Sequence, residues 1–270
     1  MAISLASIKR NTQKPPKIVI YGVPGIGKTK WASQAPNPIF VCAEDGLGQI
    51  DVPHFPRAKS YGDVLGAITA LYSEPHEFGT VVIDTIDALE PMIWAHVCAT
   101  VPHEKGRQIQ GIEDYGFGKG YVHAQREWLT FLAGLDALRD ERGMAVILCA
   151  HSKIATVKSP DSDDYDKYAL KVHDKTEAVI RGWTDCLLFA NYDQSIVAAG
   201  RDGERRRATG TGKRLLFTEE RPAFAAKNRY SLPPVLPLDW NAFVAAQNAT
   251  SLPVQQPESA SASDVPATAQ

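Results

Sequence analysis

The sequence predicts an α/β fold: a mainly parallel central sheet flanked by helices, extended by antiparallel strands toward the C-terminus. Three observations predict it. Short apolar, β-branched runs alternate with helix-period segments as far as Ala150. A glycine-rich loop joins the first of these runs to the first helix. The polar residues Glu44, Asp84 and His151 each end a later run, and ligands of open parallel sheets collect at the carboxyl ends of strands. A chain of 270 residues, 44% hydrophobic and 22% charged, is long enough and apolar enough for one large globular core.

Taken in order, Ile18–Tyr21 reads as the first buried strand and residues 28–35 as the helix after the loop. Pro36 and Pro38 stop that helix, because proline lacks the amide donor and clashes with the preceding turn. Residues 38–43 read as the second strand, ending at Glu44. Tyr61–Tyr72 carries apolar residues at helical spacing, and Thr80–Asp84 is a third strand. A segment of mixed character follows. A long helix then spans about 118–140, with Ala124, Trp128, Phe131, Leu132, Leu135 and Leu138 as its apolar stripe. Met144–Ala150 is the fourth buried strand, ending at His151, and residues 152–175 read as a long polar loop or extended hairpin. Three further runs, 186–190, 195–199 and 214–218, read as an antiparallel extension with a turn at Arg201–Gly203. The expected organisation is a flexible segment 1–15, one domain 16–248, and a disordered tail 249–270 rich in Ser, Ala, Pro and Gln.

The chemistry starts in the loop Gly22, Val23, Pro24, Gly25, Ile26, Gly27, Lys28 and Thr29. Glycines let successive backbone amides turn inward around a polyphosphate. Lys28 is placed to reach the β- and γ-phosphates, and the Thr29 hydroxyl to hold Mg²⁺. The expected ligand is ATP with Mg²⁺. Asp84, on the strand after the next helix, is the expected second metal-side group, with the Thr85 hydroxyl beside it. Glu44 is the candidate that orients or deprotonates the attacking water, with Asp45 and Asp87 as alternatives. His151 is either a γ-phosphate sensor or a hydrogen-bonded strand-end histidine. Lys227 and Arg229, two apart in an extended stretch, would present two cations to one anion, as a finger completing a neighbour's site or as a solvated basic strand.

The order of these motifs resembles the RecA/RadA/DnaB class of P-loop ATPases. Gly22–Thr29 matches its phosphate loop, Phe40–Glu44 its glutamate-bearing strand, Val81–Thr85 its metal-side strand, and Ala226–Arg229 its K-x-R finger. His151 stands where that class carries a glutamine. Glu113–Tyr121 and Ala225–Tyr230 resemble short phage ATP-binding proteins on this core, some of which anneal single strands. The resemblance, over residues 15–240, implies a RecA-like fold, ATP hydrolysis, single-stranded DNA as partner, and a homo-oligomer with shared ATP sites. It leaves open a single-strand-binding protein as a further partner. A helicase or loader ATPase, a nucleotide-gated binding module with little turnover, and a P-loop kinase stay as alternatives.

The residues themselves offer three DNA-contacting groups. Tyr115, Phe117 and Tyr121 surround Lys119 in a glycine-broken segment, an arrangement for base stacking or for packing on the core. Lys153, Lys158, Lys167, Lys171 and Lys175 follow His151, interrupted by Asp161, Asp163, Asp164 and Asp166. Arg201, Arg205, Arg206, Arg207, Lys213 and Arg214 form the densest basic cluster. Net charge is −2, so any nucleic-acid affinity must be local. The cysteines Cys42, Cys98, Cys149 and Cys186 are widely spaced and read as reduced thiols. No apolar run approaches the roughly 20 residues of a membrane span. The basic N-terminus lacks a signal-peptide core, so a cytoplasmic setting is expected, the host cytoplasm if the protein is phage-encoded.

Overall fold

A computed structural model describes residues 4–5, 14–158, 163–199 and 205–250. The expected segment 1–15 and tail 249–270 lie almost wholly outside these residues. Strand β1 (Lys17–Gly22) is buried throughout and feeds two cores. Val19 and Tyr21 face one, Ile18 and Ile20 the other, the period-two alternation of a strand. Helix α1 (Lys28–Ala32) ends three residues short of the expected stop. Strand β2 (Pro38–Cys42), helix α2 (Tyr61–Ser73) and strand β3 (Thr80–Asp84) fall as predicted. A capping box starts α2: the Asp63 amide donates to the Ser60 hydroxyl, and the Ser60 amide donates to the Asp63 carboxylate.

The segment of mixed character is mostly helical. Helix α3 (Ile86–Thr100) follows β3 directly, with Pro91 inside it. That proline removes one helical hydrogen bond and masks the helix in the sequence. A 3₁₀ turn at Ile112–Tyr115 leads to helix α4 (Lys119–Glu141). All six stripe residues of α4 are buried as expected. Strand β4 (Ala145–Val157) does not stop at His151 but continues into an antiparallel pairing with β5 (Tyr165–Leu170). Of the two expected forms the described residues take the hairpin, Ser152–Val157 pairing with Tyr165–Leu170. Its tip, Asp161 included, lies outside the described residues.

Helix α5 (Asp174–Trp183) returns the chain to the lower edge of the sheet. Strand β6 (Cys186–Ala199) consequently runs parallel to β1. The antiparallel extension expected from Cys186 begins one strand later, because a crossover helix precedes β6. The runs 186–190 and 195–199 are one strand, interrupted by a register shift between Tyr192 and Gln194. Strand β7 (Arg205–Phe217) pairs antiparallel with β6. Strand β8 (Lys227–Asn228) pairs with the start of β6, and β9 (Val235–Pro237) with the end of β7. The main order is β2-β3-β4-β1-β6-β7-β9. Helices α2, α3, α4 and α5 contribute to the core on one face. Helix α6 (Trp240–Thr250), unmarked in the sequence reading, packs with α1 on the other. Trp31 meets Trp240 edge-on at 4.7 Å between ring centroids. Among the described residues all four cysteines are free. No described helix is long and apolar enough to cross a membrane.

The lower edge of the sheet is closed by Asp185. Its carboxylate accepts hydrogen bonds from the Lys17 amide, Arg139 Nη2, Arg229 Nη1 and the Tyr230 hydroxyl, at 3.1–3.2 Å. Its side chain is 10% exposed. Truncation would take the shared acceptor from the half-buried Arg139 and Tyr230 and from the Lys17 amide. Asp185→Ala is therefore expected to lower stability by about 3–5 kcal/mol, read as a lower urea midpoint.

Candidate nucleotide site

The loop after β1 is shaped by its glycines. A Cβ on Gly22 would sit 2.1 Å from the carbonyl oxygen of Ala190 on the neighbouring strand, so no side chain fits there. Gly25 and Gly27 have φ of 75° and 111°, conformations that L-residues avoid. Lys28 is buried, and its ammonium donates to the carbonyls of Gly22 and Val23 at 3.2 Å each. Burial lowers its pKa, against the opposing influence of Cys149, Asp84, Asp87 and Glu44.

Parallel register brings the strand ends to the loop. Gly22 lies opposite His151 across β1–β4. Asp84 lies opposite Cys149 across β3–β4 and opposite Cys42 across β2–β3. Glu44 follows two residues after Cys42. Lys28, Thr29, Glu44, Asp84, Thr85 and His151 accordingly line one cleft of about 280 Å³. This is the convergence that the sequence predicts. Asp45 is exposed and Asp87 is engaged elsewhere, which leaves Glu44 as the half-buried carboxylate of the β2 end.

The Thr29 hydroxyl donates to Asp84 Oδ2 at 2.8 Å, holding the two expected metal-side groups together. Burial raises the pKa of Asp84; Glu44 adds to the rise, while the Thr29 hydrogen bond, Lys28 and His151 oppose it. A cation placed beside these oxygens would relieve that penalty. A hydroxyl and a carboxylate are hard oxygen donors that suit Mg²⁺, which takes few protein ligands and completes its shell with water and phosphate. No cluster of three or more His, Cys, Asp or Glu with metal-holding geometry occurs among the described residues. The donor set therefore fits Mg²⁺ held with a phosphate and does not form an all-protein metal cage.

His151 is gripped by Asp87 on α3. The His151 amide donates to Asp87 Oδ1 at 2.8 Å, and ring Nδ1 lies 2.9 Å from Oδ2. With Nδ1 committed to Asp87, Nε2 is the ring nitrogen free for a cleft ligand. Burial works to raise the Asp87 pKa, but the hydrogen bonds from His151 outweigh it and hold the carboxyl below its ordinary range. The sequence offers Asp87 only as an alternative to Glu44. The signal that could have marked it is its place three residues past Asp84, in the first turn of the next helix.

Lys227 and Arg229 do not join this cleft. β8 pairs with β6 at Cys186 and Leu187, level with Ile18 and Val19 on β1. The loop begins past Gly22, about 13 Å further along the sheet at ~3.3 Å per residue. Lys227 donates to the α5 carbonyls of Arg181 and Gly182 at 2.6 and 3.1 Å. Arg229 pairs with Asp185 while its side chain stays 55% exposed.

The aromatic group near Lys119 is divided. Tyr115 is buried and donates to the carbonyls of Val97 and Val101 at the end of α3. Tyr121 stacks on His173 at 3.9 Å between centroids. Lys119 is paired with Glu104. Only Phe117 is fully exposed, at φ 49° between two positive-φ glycines. Along the hairpin, Lys153 pairs with Asp174 and Lys167 with Glu220. Lys158, Lys171 and Lys175 are exposed. In the third group, Arg201 lies outside the described residues, and Arg205, Arg206 and Arg207 fall on β7. Arg214 departs from its expected cluster: its Nη1 donates to the Ile26 carbonyl of the phosphate loop at 3.3 Å.

The AAA domain family, a family of P-loop ATPases, matches residues 14–230, and the chain belongs to it. The chain is also 27% identical over 139 residues to an uncharacterized protein, YorG, derived from the SPbeta prophage of Bacillus subtilis (strain 168). That match covers 50% of this chain and 40% of the relative, so the chain spans less than half of that protein's length.

The Asp87–His151 contact carries a pH signature. A carboxyl whose folded pKa is depressed contributes stability above its unfolded pKa, and loses it as pH falls through the folded value. The stability difference between wild type and Asp87→Asn should be full at pH 6–7 and shrink below about pH 4. Urea unfolding at stepped pH reads it.

Proposed function

We propose that this AAA domain protein is a Mg²⁺-dependent ATPase with a RecA-like core, working as an oligomer on single-stranded DNA in phage-type recombination or annealing. The observation that carries the ATPase reading is the single cleft shared by Lys28, Thr29, Glu44, Asp84 and His151. In this reading the loop amides and Lys28 hold the β- and γ-phosphates. Thr29 and Asp84 would hold Mg²⁺, which would supply charge neutralisation for the transferred phosphoryl group. Glu44 accepts a proton from water as that water attacks the γ-phosphorus. The bond to the β–γ bridging oxygen breaks, giving ADP and phosphate. His151, held at Nδ1 by Asp87, offers Nε2 as an acceptor to the attacking water or, when the ring carries both protons, as a donor to the γ-phosphate.

Support for the DNA role is of a different kind. The prophage-derived relative favours a phage setting. Phe117 offers one exposed aromatic face, and Lys158, Lys171 and Lys175 offer cations on or beside the hairpin that continues from His151. A shared site in the oligomer would draw on Arg229, whose exposed guanidinium is available to a neighbour, more than on Lys227, which is committed to α5.

Glu44→Gln is expected to cut steady-state ATP turnover by about 10²–10⁴-fold while ATP binding is kept. Unimpaired turnover in that variant removes Glu44 as the base. Negligible wild-type turnover, with and without single-stranded DNA, instead supports a nucleotide-gated binding module. For the DNA role, Phe117→Ala should weaken single-strand binding by roughly 5–100-fold and leave the salt slope unchanged. Removing Lys171 and Lys175 together should flatten that slope. Equal, negligible binding of single and double strands with ATP present excludes recombination.

A further inference from the structure

The cleft of Lys28, Glu44 and Asp84 encloses about 280 Å³. Pockets that take a whole drug-sized ligand run from roughly 300 to 1,000 Å³. The cleft suits a triphosphate with its metal, and the nucleoside must lie beyond it. Topology sets the direction. Glu44, Asp84 and His151 stand on or just past β2, β3 and β4, all to one side of β1. The γ-phosphate end faces those strands, so the nucleoside leaves across Gly27 toward the opposite side, where β6, β7 and β9 lie.

Two side chains meet the loop on that flank. A Cβ on Gly27 would lie 2.8 Å from Arg214 Nη1 and 3.7 Å from Leu238 Cδ2. The two residues are linked to each other, since the Leu238 amide donates to the Arg214 carbonyl at 3.0 Å. Both also line an open depression of about 600 Å³ beside β7 and β9, with Lys213, Leu215, Val235 and Pro237 among its other walls. Among the described residues Arg214 forms no ion pair, and its one side-chain hydrogen bond goes to the Ile26 carbonyl. It is an exposed planar cation held against the phosphate loop, with apolar surface beside it. A guanidinium in that setting suits the π-face of a heteroaromatic ring.

We propose that Arg214 and Leu238 form the nucleoside subsite of this protein, the guanidinium lying over the face of the base and Leu238 supplying the apolar wall. The subsite rests on the nucleotide reading of the phosphate loop. It moves Arg214 from a DNA-contacting cluster to nucleotide binding, and it sets the guanidinium beside Gly27, whose positive φ already disfavours a side chain.

The test is calorimetric titration of the full chain with Mg–ATP, Mg–ADP and Mg–tripolyphosphate, in wild type, Arg214→Ala, Arg214→Lys and Lys28→Ala. Arg214→Ala should lose about tenfold in affinity for ATP and ADP alike and stay within about twofold for tripolyphosphate. Arg214→Lys keeps a donor for the Ile26 carbonyl but has no planar face, so it should show most of the same loss. Unchanged ATP affinity in Arg214→Ala overturns the subsite. An equal loss for tripolyphosphate also overturns it, and makes Arg214 a brace of the loop. Lys28→Ala should lose all three ligands. A wild type that binds neither ATP nor tripolyphosphate overturns the nucleotide reading itself, a result distinct from failure of the subsite alone.

Discussion

The parallel register of β1, β3 and β4 is the constraint on which the rest of the structure depends. Gly22 opposite His151 and Asp84 opposite Cys149 place the loop, the Asp84 carboxylate and the histidine at one end of the sheet. A slip of one residue would turn each side chain to the opposite face. Burial makes that slip costly, because both faces of β1 and β3 pack into cores. Two side-chain contacts then tie the flanking helices to this register. Thr29–Asp84 joins the loop to β3, and Asp87–His151 joins α3 to β4. The cleft is thus a consequence of sheet packing and requires little further ordering.

Helix α3 extends the same logic beyond the cleft. Asp87 and Glu90 are three residues apart, hence on one face of the helix. Asp87 accepts the His151 amide, and Glu90 accepts the His173 amide at 2.8 and 3.1 Å. These amides flank the β4–β5 hairpin, one before it and one after it. Burial raises the pKa of Glu90, while the Thr176, His173 and Lys153 neighbours oppose the rise. Since α3 starts two residues after Asp84, the helix that holds both feet of the hairpin follows directly on the strand that ends in Asp84. Any coupling between nucleotide state and a ligand held by the hairpin has a short mechanical route.

Much of this was legible in the sequence, because the informative residues sit at strand ends. Alternating apolar runs gave the parallel core, and the terminal polar residue of each run gave the cleft. The parts that escaped are those decided by tertiary context. Pro91 disguised α3, since a proline in a helical pattern reads as a break. The direction of β6 depended on α5, whose short amphipathic span was hidden in a polar stretch. The pairing of Lys227 and Arg229 with the lower edge of the sheet was invisible, because two-residue spacing fixes a common side but not which edge. Tyr115 and Phe117, two apart in one glycine-broken segment, part into core and solvent for the same reason.

On the proposed reading these strand ends converge on a magnesium-bound triphosphate. A crystal structure of the chain with Mg²⁺ and a non-hydrolysable ATP analogue tests it most directly. The expected result is phosphate density within the Gly22–Thr29 loop, metal density beside Thr29 and Asp84, and Glu44 and His151 facing the terminal phosphate. Analogue bound at another surface, or phosphate in the loop with Glu44 and Asp84 turned away from it, would contradict the account.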